Sequence, residues 1–141
     1  MNDINYGIAW SEKYALGNKQ VDSQHRRLFE LLSDLVASCL NRTEVTKLKG
    51  TLDFLVNYTV QHFNDEEALQ CKYDYPDFQR HKQLHEDFKV TVGLLVAQFQ
   101  ESGSSEELSS NVNKVVVKWL LNHIQREDKK IGNHIDKLTG K

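Results

Sequence analysis

Apolar residues recur along this chain at alternating intervals of three and four, the period of a helix with one face turned inward. Four stretches carry such a stripe. The first runs His25, Leu28, Leu32, Leu35 and Cys39; the second runs Leu48, Leu52, Leu55, Thr59, His62, Glu66 and Leu69. The third gives His81, His85, Phe88, Val92, Leu95 and Phe99, and the fourth gives Val112, Val116, Trp119 and His123. The breaks between them are polar: Asn41-Arg42-Thr43, with Thr43 placed to cap a helix, the lone Pro76, and Ser102-Gly103-Ser104-Ser105. Ser104 and Glu107 have capping-box spacing. Helices are predicted near 22–40, 44–71, 78–101 and 105–133. Short connections favour antiparallel neighbours, so the expected fold is all-α, an up-down-up-down four-helix bundle. Residues 1–20, with Gly7, Gly17, Tyr6, Trp10 and Tyr14, read as an N-terminal arm packed across it, and 1–141 as one domain.

The polar residues within these stripes change the picture. His25, His62, Glu66, His81, His85, His123 and Asp128 replace apolar residues on the inward faces. If successive helices reverse direction, groups early in the first and third share a level with groups late in the second and fourth. His25, His81 and His85 are early; His62, Glu66, His123 and Asp128 are late. All seven therefore fall at one end of the bundle. Buried together and unpaired, five imidazoles and two carboxylates would be costly to desolvate, and metal coordination compensates. Seven donors are too many for one ordinary site and suit two metals sharing bridges. The irregular step is His123 to Asp128. Five residues turn an ideal helix by about 140°, against about 40° for four. Asp128 then approaches from the side, or the helix widens in a π-bulge. Glu127 is the i+4 alternative, and Glu67 the alternative to Glu66. His134 reads as a surface residue beside Lys129-Lys130, a cationic helix end.

Bulk properties only remove alternatives. The chain has 141 residues, a net charge of −2 and no basic concentration, so nothing indicates nucleic acid or an anionic membrane. Apolar runs fall far short of the roughly 20 residues that span a bilayer. The start, Met1-Asn2-Asp3-Ile4-Asn5-Tyr6, has no signal-peptide character, so a cytoplasmic protein is expected. Cys39 and Cys71 are too few for a disulfide framework; Cys39 continues an apolar stripe as a buried thiol, and Cys71 lies near a helix end.

Together these residues resemble the hemerythrin family in its single-domain bacterial form. The likeness runs from Trp10, Gly17 and Val21-Asp22-Ser23-Gln24-His25, through His62-Phe63-Asn64-Asp65-Glu66-Glu67 and His81-Lys82-Gln83-Leu84-His85, to His123-Ile124 and Asp128. It implies two non-haem iron ions. His81, His85 and His123 would hold one and His25 and His62 the other, bridged by Glu66, Asp128 and an oxo or hydroxo group. The position left open beside His25 and His62 would take O2 reversibly, as a hydroperoxide. The iron assignment rests on this resemblance, because imidazole also suits zinc, copper and nickel. Leu28, Phe63, Trp119, Leu120 and Ile124 resemble the apolar lining of the family's oxygen pocket.

The expected function is therefore oxygen carriage, storage or delivery by a non-enzymatic, monomeric protein, with O2 as ligand and any protein partner unidentified. A sensor of oxygen, nitric oxide or redox state acting through a partner is the alternative. A di-iron peroxide or nitric oxide reductase ranks below both, because no general acid beyond the ligands is evident.

Overall fold

The computed structural model describes residues 10–40, 45–102 and 110–140. Helix α1 spans Lys19–Leu40, α2 Val45–Lys72 and α3 Phe78–Ser102. Helix α4 is built from the consecutive pieces Val112–Val117, Lys118–Asn122, His123–Asp128 and Lys129–Thr139, of which the first and third are π-helical turns. Consecutive helices pack on one another, α1 on α2, α2 on α3 and α3 on the start of α4, giving the four-helix bundle. The described residues contain no strand, and no helix among them is long and apolar enough to cross a membrane.

Among the described residues, the larger of two apolar clusters holds Leu28, Leu32 and Leu35 from α1, Leu52 and Leu55 from α2, Phe88, Val92, Leu95 and Phe99 from α3, and Val112, Val116 and Leu120 from α4; the smaller joins Leu16, Val21, Tyr75 and Ile131. Of those named in the larger, all but Leu120 belong to the inward stripes of the sequence. Thr59 also lies inward, its hydroxyl donating to the Leu55 carbonyl at 2.7 Å, which satisfies the one polar group in that part of the seam. Leu69 and Trp119 are only half-buried. The side chains of Cys39 and Leu48, and the caps read at Thr43 and at Ser104 with Glu107, lie outside the described residues, as do Tyr6 and Gly7 of the arm.

The rest of the arm is anchored where α1 begins. Asn18 caps α1, its Oδ1 accepting from the Val21 N–H at 3.0 Å. The Asp22 carboxylate accepts from the N–H groups of Leu16 and Gly17 at 2.7 and 3.1 Å, and Gly17 turns the chain at φ +90°. Trp10 and Tyr14 pack on the core, and Lys129 donates to the Ala15 carbonyl at 2.7 Å.

Two readings of the fourth segment need correction. The helix predicted near 105–133 runs on: α4 passes through Gly132 and Asn133 to Thr139 and ends at Gly140 in the left-handed region, φ 78°. Gly132 serves a packing purpose: a Cβ there would meet the Leu16 carbonyl oxygen at 3.0 Å, so its bareness lets the arm lie on the helix. His134 is not a free surface residue. It is half-buried, its Nε2 donates to the Tyr73 carbonyl at 2.7 Å, and its ring meets Tyr75 edge-on at 5.6 Å.

Candidate metal centre

The bundle brings His25, His62, Glu66, His81, His85, His123 and Asp128 into two overlapping clusters, and all seven are buried. Glu66, His81, His85, His123 and Asp128 form one; His25, His62, Glu66 and Asp128 form the other. The two carboxylates belong to both, and each splits its oxygens between them. Glu66 Oε1 lies 2.9 Å from His81 Nε2 and 3.3 Å from His85 Nε2, while its Oε2 lies 3.2 Å from His62 Nε2 and 3.5 Å from His25 Nε2. Asp128 Oδ1 lies 3.0 Å from both His81 and His123 Nε2, and its Oδ2 is 3.0 Å from His25 Nε2.

Local helix geometry explains the convergence. His62 and Glu66, like His81 and His85, are four apart and share a face. His123 and Asp128 are five apart, and the π-helical turn His123–Asp128 spans them. A π turn closes on i+5 rather than i+4, so Asp128 falls beneath His123 and both point inward. Of the two geometries the spacing allowed, the widened helix is the one observed. Glu127, one residue earlier, faces outward and binds Arg80 through both carboxylate oxygens at 2.6 and 3.0 Å; that ion pair also lowers its pKa.

The donor set fits a metal pair. Octahedral ligand atoms held at about 2.1 Å from an ion sit about 3.0 Å from their neighbours, close to the separations here. His123 Nε2 lies 3.1 Å from the Nε2 atoms of both His81 and His85, so three ring nitrogens crowd together, an arrangement that a cation among them would stabilise. His25 Nε2, His62 Nε2, Glu66 Oε2 and both Asp128 oxygens are buried without an aligned hydrogen bond, although short contacts surround them. Groups arranged for coordination rather than hydrogen bonding leave that signature.

Electrostatics in the metal-free chain follow from the same contacts. Burial alone would depress His25 and His81, but the Asp128 and Glu66 carboxylates in close contact with them outweigh it and raise each to about 9. Burial pushes Glu66 up, and four surrounding histidines more than reverse it, holding the carboxyl well below its ordinary range. Asp128 is likewise lowered: burial and the Glu66 charge oppose, and His123 and His25 prevail.

Around the clusters the structure supplies partners that the sequence stripe does not reveal. His62 Nδ1 donates to Gln24 Oε1 at 2.7 Å, and Gln24 Nε2 donates to Asp65 Oδ2 at 2.7 Å. His85 Nδ1 donates to Glu67 Oε2 at 2.8 Å. Glu67 thus supports a ligand from outside the cluster, whereas the sequence offered it only as a substitute for Glu66. Gln24 sits beside His25 and Asp65 three residues after His62, but which helix each faces depends on rotations a single sequence does not encode. Tyr75 lies edge-on to His81 at 6.2 Å, and burial, with Asp77 and Glu127 adding, pushes its hydroxyl up to about 12.

The apolar residues divide. Leu28, Phe63, Leu120 and Ile124 are fully buried in the core. Phe63 stacks flat on His85 with centroids 3.7 Å apart, and Trp119 stacks on His123 at 4.5 Å. Trp119 therefore covers the three-histidine side and also lines a surface cleft of about 220 Å³ with Leu84, Asn122, His123, Arg126 and Glu127.

Comparison with known proteins agrees with this arrangement. The model of the hemerythrin HHE cation binding domain matches residues 16–135. A bacteriohemerythrin of Stenotrophomonas maltophilia is 30% identical over 130 residues, covering 91% of this chain and 81% of the relative. A bacteriohemerythrin of Methylococcus capsulatus is 34% identical over 113 residues, covering 79% and 82%, and a hemerythrin-like protein of Naegleria gruberi 31% over 121 residues, covering 86% and 87%. The match spans both clusters and every helix that contributes to them: the chain belongs to the hemerythrin family, whose domain binds non-haem iron.

Proposed function

We propose that this protein binds O2 reversibly at a pair of non-haem irons, with His81, His85 and His123 on one ion, His25 and His62 on the other, and Glu66 and Asp128 bridging. The observation that carries this is the split of both carboxylates, one oxygen to each cluster, around an unequal set of three and two imidazoles. When bound, the iron pair supplies two electrons to O2 and takes them back on release. Everything else is the work of the chain. Glu66 and Asp128, ionised by their surroundings, offer two negative charges without losing protons. His62 and His85 present Nε2 because their outer nitrogens are committed to Gln24 and Glu67. Five neutral imidazoles to two carboxylates favour the iron(II) state more than an oxygen-rich set would. The two-histidine side, one donor short, leaves room for a ligand.

The wall explains reversibility. Leu28, Phe63, Leu120 and Ile124 are each at most 1% exposed and present an apolar wall at this level, while the surface cleft beside Trp119 reaches only His123, on the three-histidine side. Loss of reduced oxygen requires protons, and an apolar wall slows their delivery. The same slowing favours binding over proton-coupled reduction of peroxide or nitric oxide. The test is anaerobic reduction followed by O2 exposure. Two irons per chain and an oxygenated spectrum that reverses on deoxygenation are expected. Irreversible oxidation or multiple turnovers of peroxide would replace this reading with an enzymatic one, and a single zinc per chain would end it.

A further inference from the structure

A histidine coordinates through a nitrogen that carries no proton, so its tautomer decides whether it can be a ligand. We infer that Asp65, which does not itself face the cluster, fixes the tautomer of His62 by setting the orientation of the Gln24 amide. The inference rests on the proposed pair only in taking His62 as a ligand.

The argument is one of hydrogen-bond direction. An ionised carboxylate accepts and does not donate. Asp65 Oδ2 lies 2.7 Å from one end of the Gln24 amide, so that end is the NH2 group. The other end, 2.7 Å from His62 Nδ1, is then the carbonyl oxygen, an acceptor. His62 Nδ1 must therefore carry the hydrogen, which leaves a lone pair on Nε2. That Nε2 is buried, has no hydrogen-bond partner and lies 3.2 Å from Glu66 Oε2, the condition of a vacant donor. Rotate the amide by half a turn and its NH2 faces Nδ1; the proton moves to Nε2 and blocks it.

The relay serves one side only. His85 Nδ1 meets the Glu67 carboxylate directly at 2.8 Å, an acceptor that has no wrong orientation. An amide has one, and Asp65 removes it. Because Gln24 belongs to α1 and Asp65 to α2, the relay also ties His62 to the helix that carries His25.

The test reverses the polarity of the relay in the full chain. Asp65→Lys places a donor where the acceptor stood, so the Gln24 carbonyl turns toward it and the NH2 toward His62. Cobalt(II) titration of the metal-free protein, followed by its visible spectrum, reads the two sites. The first cobalt should bind as in the unaltered chain and the second roughly 10–100-fold more weakly. Asp65→Ala, which frees the amide without reversing it, should lose less. Adding Gln24→Glu to Asp65→Lys supplies an acceptor at both ends and should restore the second cobalt, a rescue that a merely structural role would not give. Unchanged affinity in Asp65→Lys, or no recovery in the double variant, overturns the relay. An unaltered chain that takes only one cobalt overturns the pair and this inference with it.

Discussion

Ile124 follows His123 in the chain and is 1% exposed, so its side chain both fills the core and helps to close the cluster from solvent. Ile124→Ala should cost about 2–5 kcal/mol of stability through the lost burial and the cavity left behind. The same loss thins the apolar packing beside His123. If the proposed oxygen binding holds, decay of the oxygenated absorption band should accelerate, and unchanged decay would remove Ile124 from the proposed pocket. The ligand histidines make a second residue-scale point, this time in the metal-free chain. His25 and His81 ordinarily titrate at 6.5 and are raised to about 9, so the stability they contribute is complete below 6.5 and fades as pH rises through 9. Metal must displace those protons. At neutral pH, loading should release about two protons per chain in a pH-stat, few above pH 9, and apparent affinity should climb between.

At the scale of the element, α4 departs most from an ordinary helix. Its π turn over His123–Asp128 and its bare Gly132 each solve a placement problem, one for a carboxylate and one for the arm. Gly132→Ala pushes a Cβ to 3.0 Å from the Leu16 carbonyl, and overpacking of this kind costs about 1–3 kcal/mol. The melting temperature should fall while iron content is unchanged; loss of iron would mean that the arm shapes the cluster. What the sequence discloses at this scale follows from periodicity. The inward stripes identify the helices and six of the seven ligand candidates within them, and the five-residue step from His123 to Asp128 already contains the choice between a side approach and a wider helix. Gln24, Asp65 and Glu67 lie beside the stripes rather than on them. Their partners are set by how far α1, α2 and α3 are rotated about their axes, a quantity that packing fixes. The role of Gly132 is hidden for a related reason: it is a point of close approach between segments more than a hundred residues apart.

Across the whole molecule, the cluster is where all four helices meet: α1 gives His25, α2 His62 and Glu66, α3 His81 and His85, and α4 His123 and Asp128. Bound metal would therefore stabilise the native bundle against the unfolded chain as a single unit, since no helix carries a complete set. Glu66 and Asp128 do more than close each half. An ion on one side orders a carboxylate that the other side also needs, and the entropy of fixing it is then already spent when the second ion arrives. Against this works the repulsion of two cations that close together. Where the first effect prevails, loading is cooperative, and partly filled chains are scarce even when metal is short. Protein short of iron would then be a mixture of complete and empty molecules, so the binding capacity proposed for it would fall by number, not by quality.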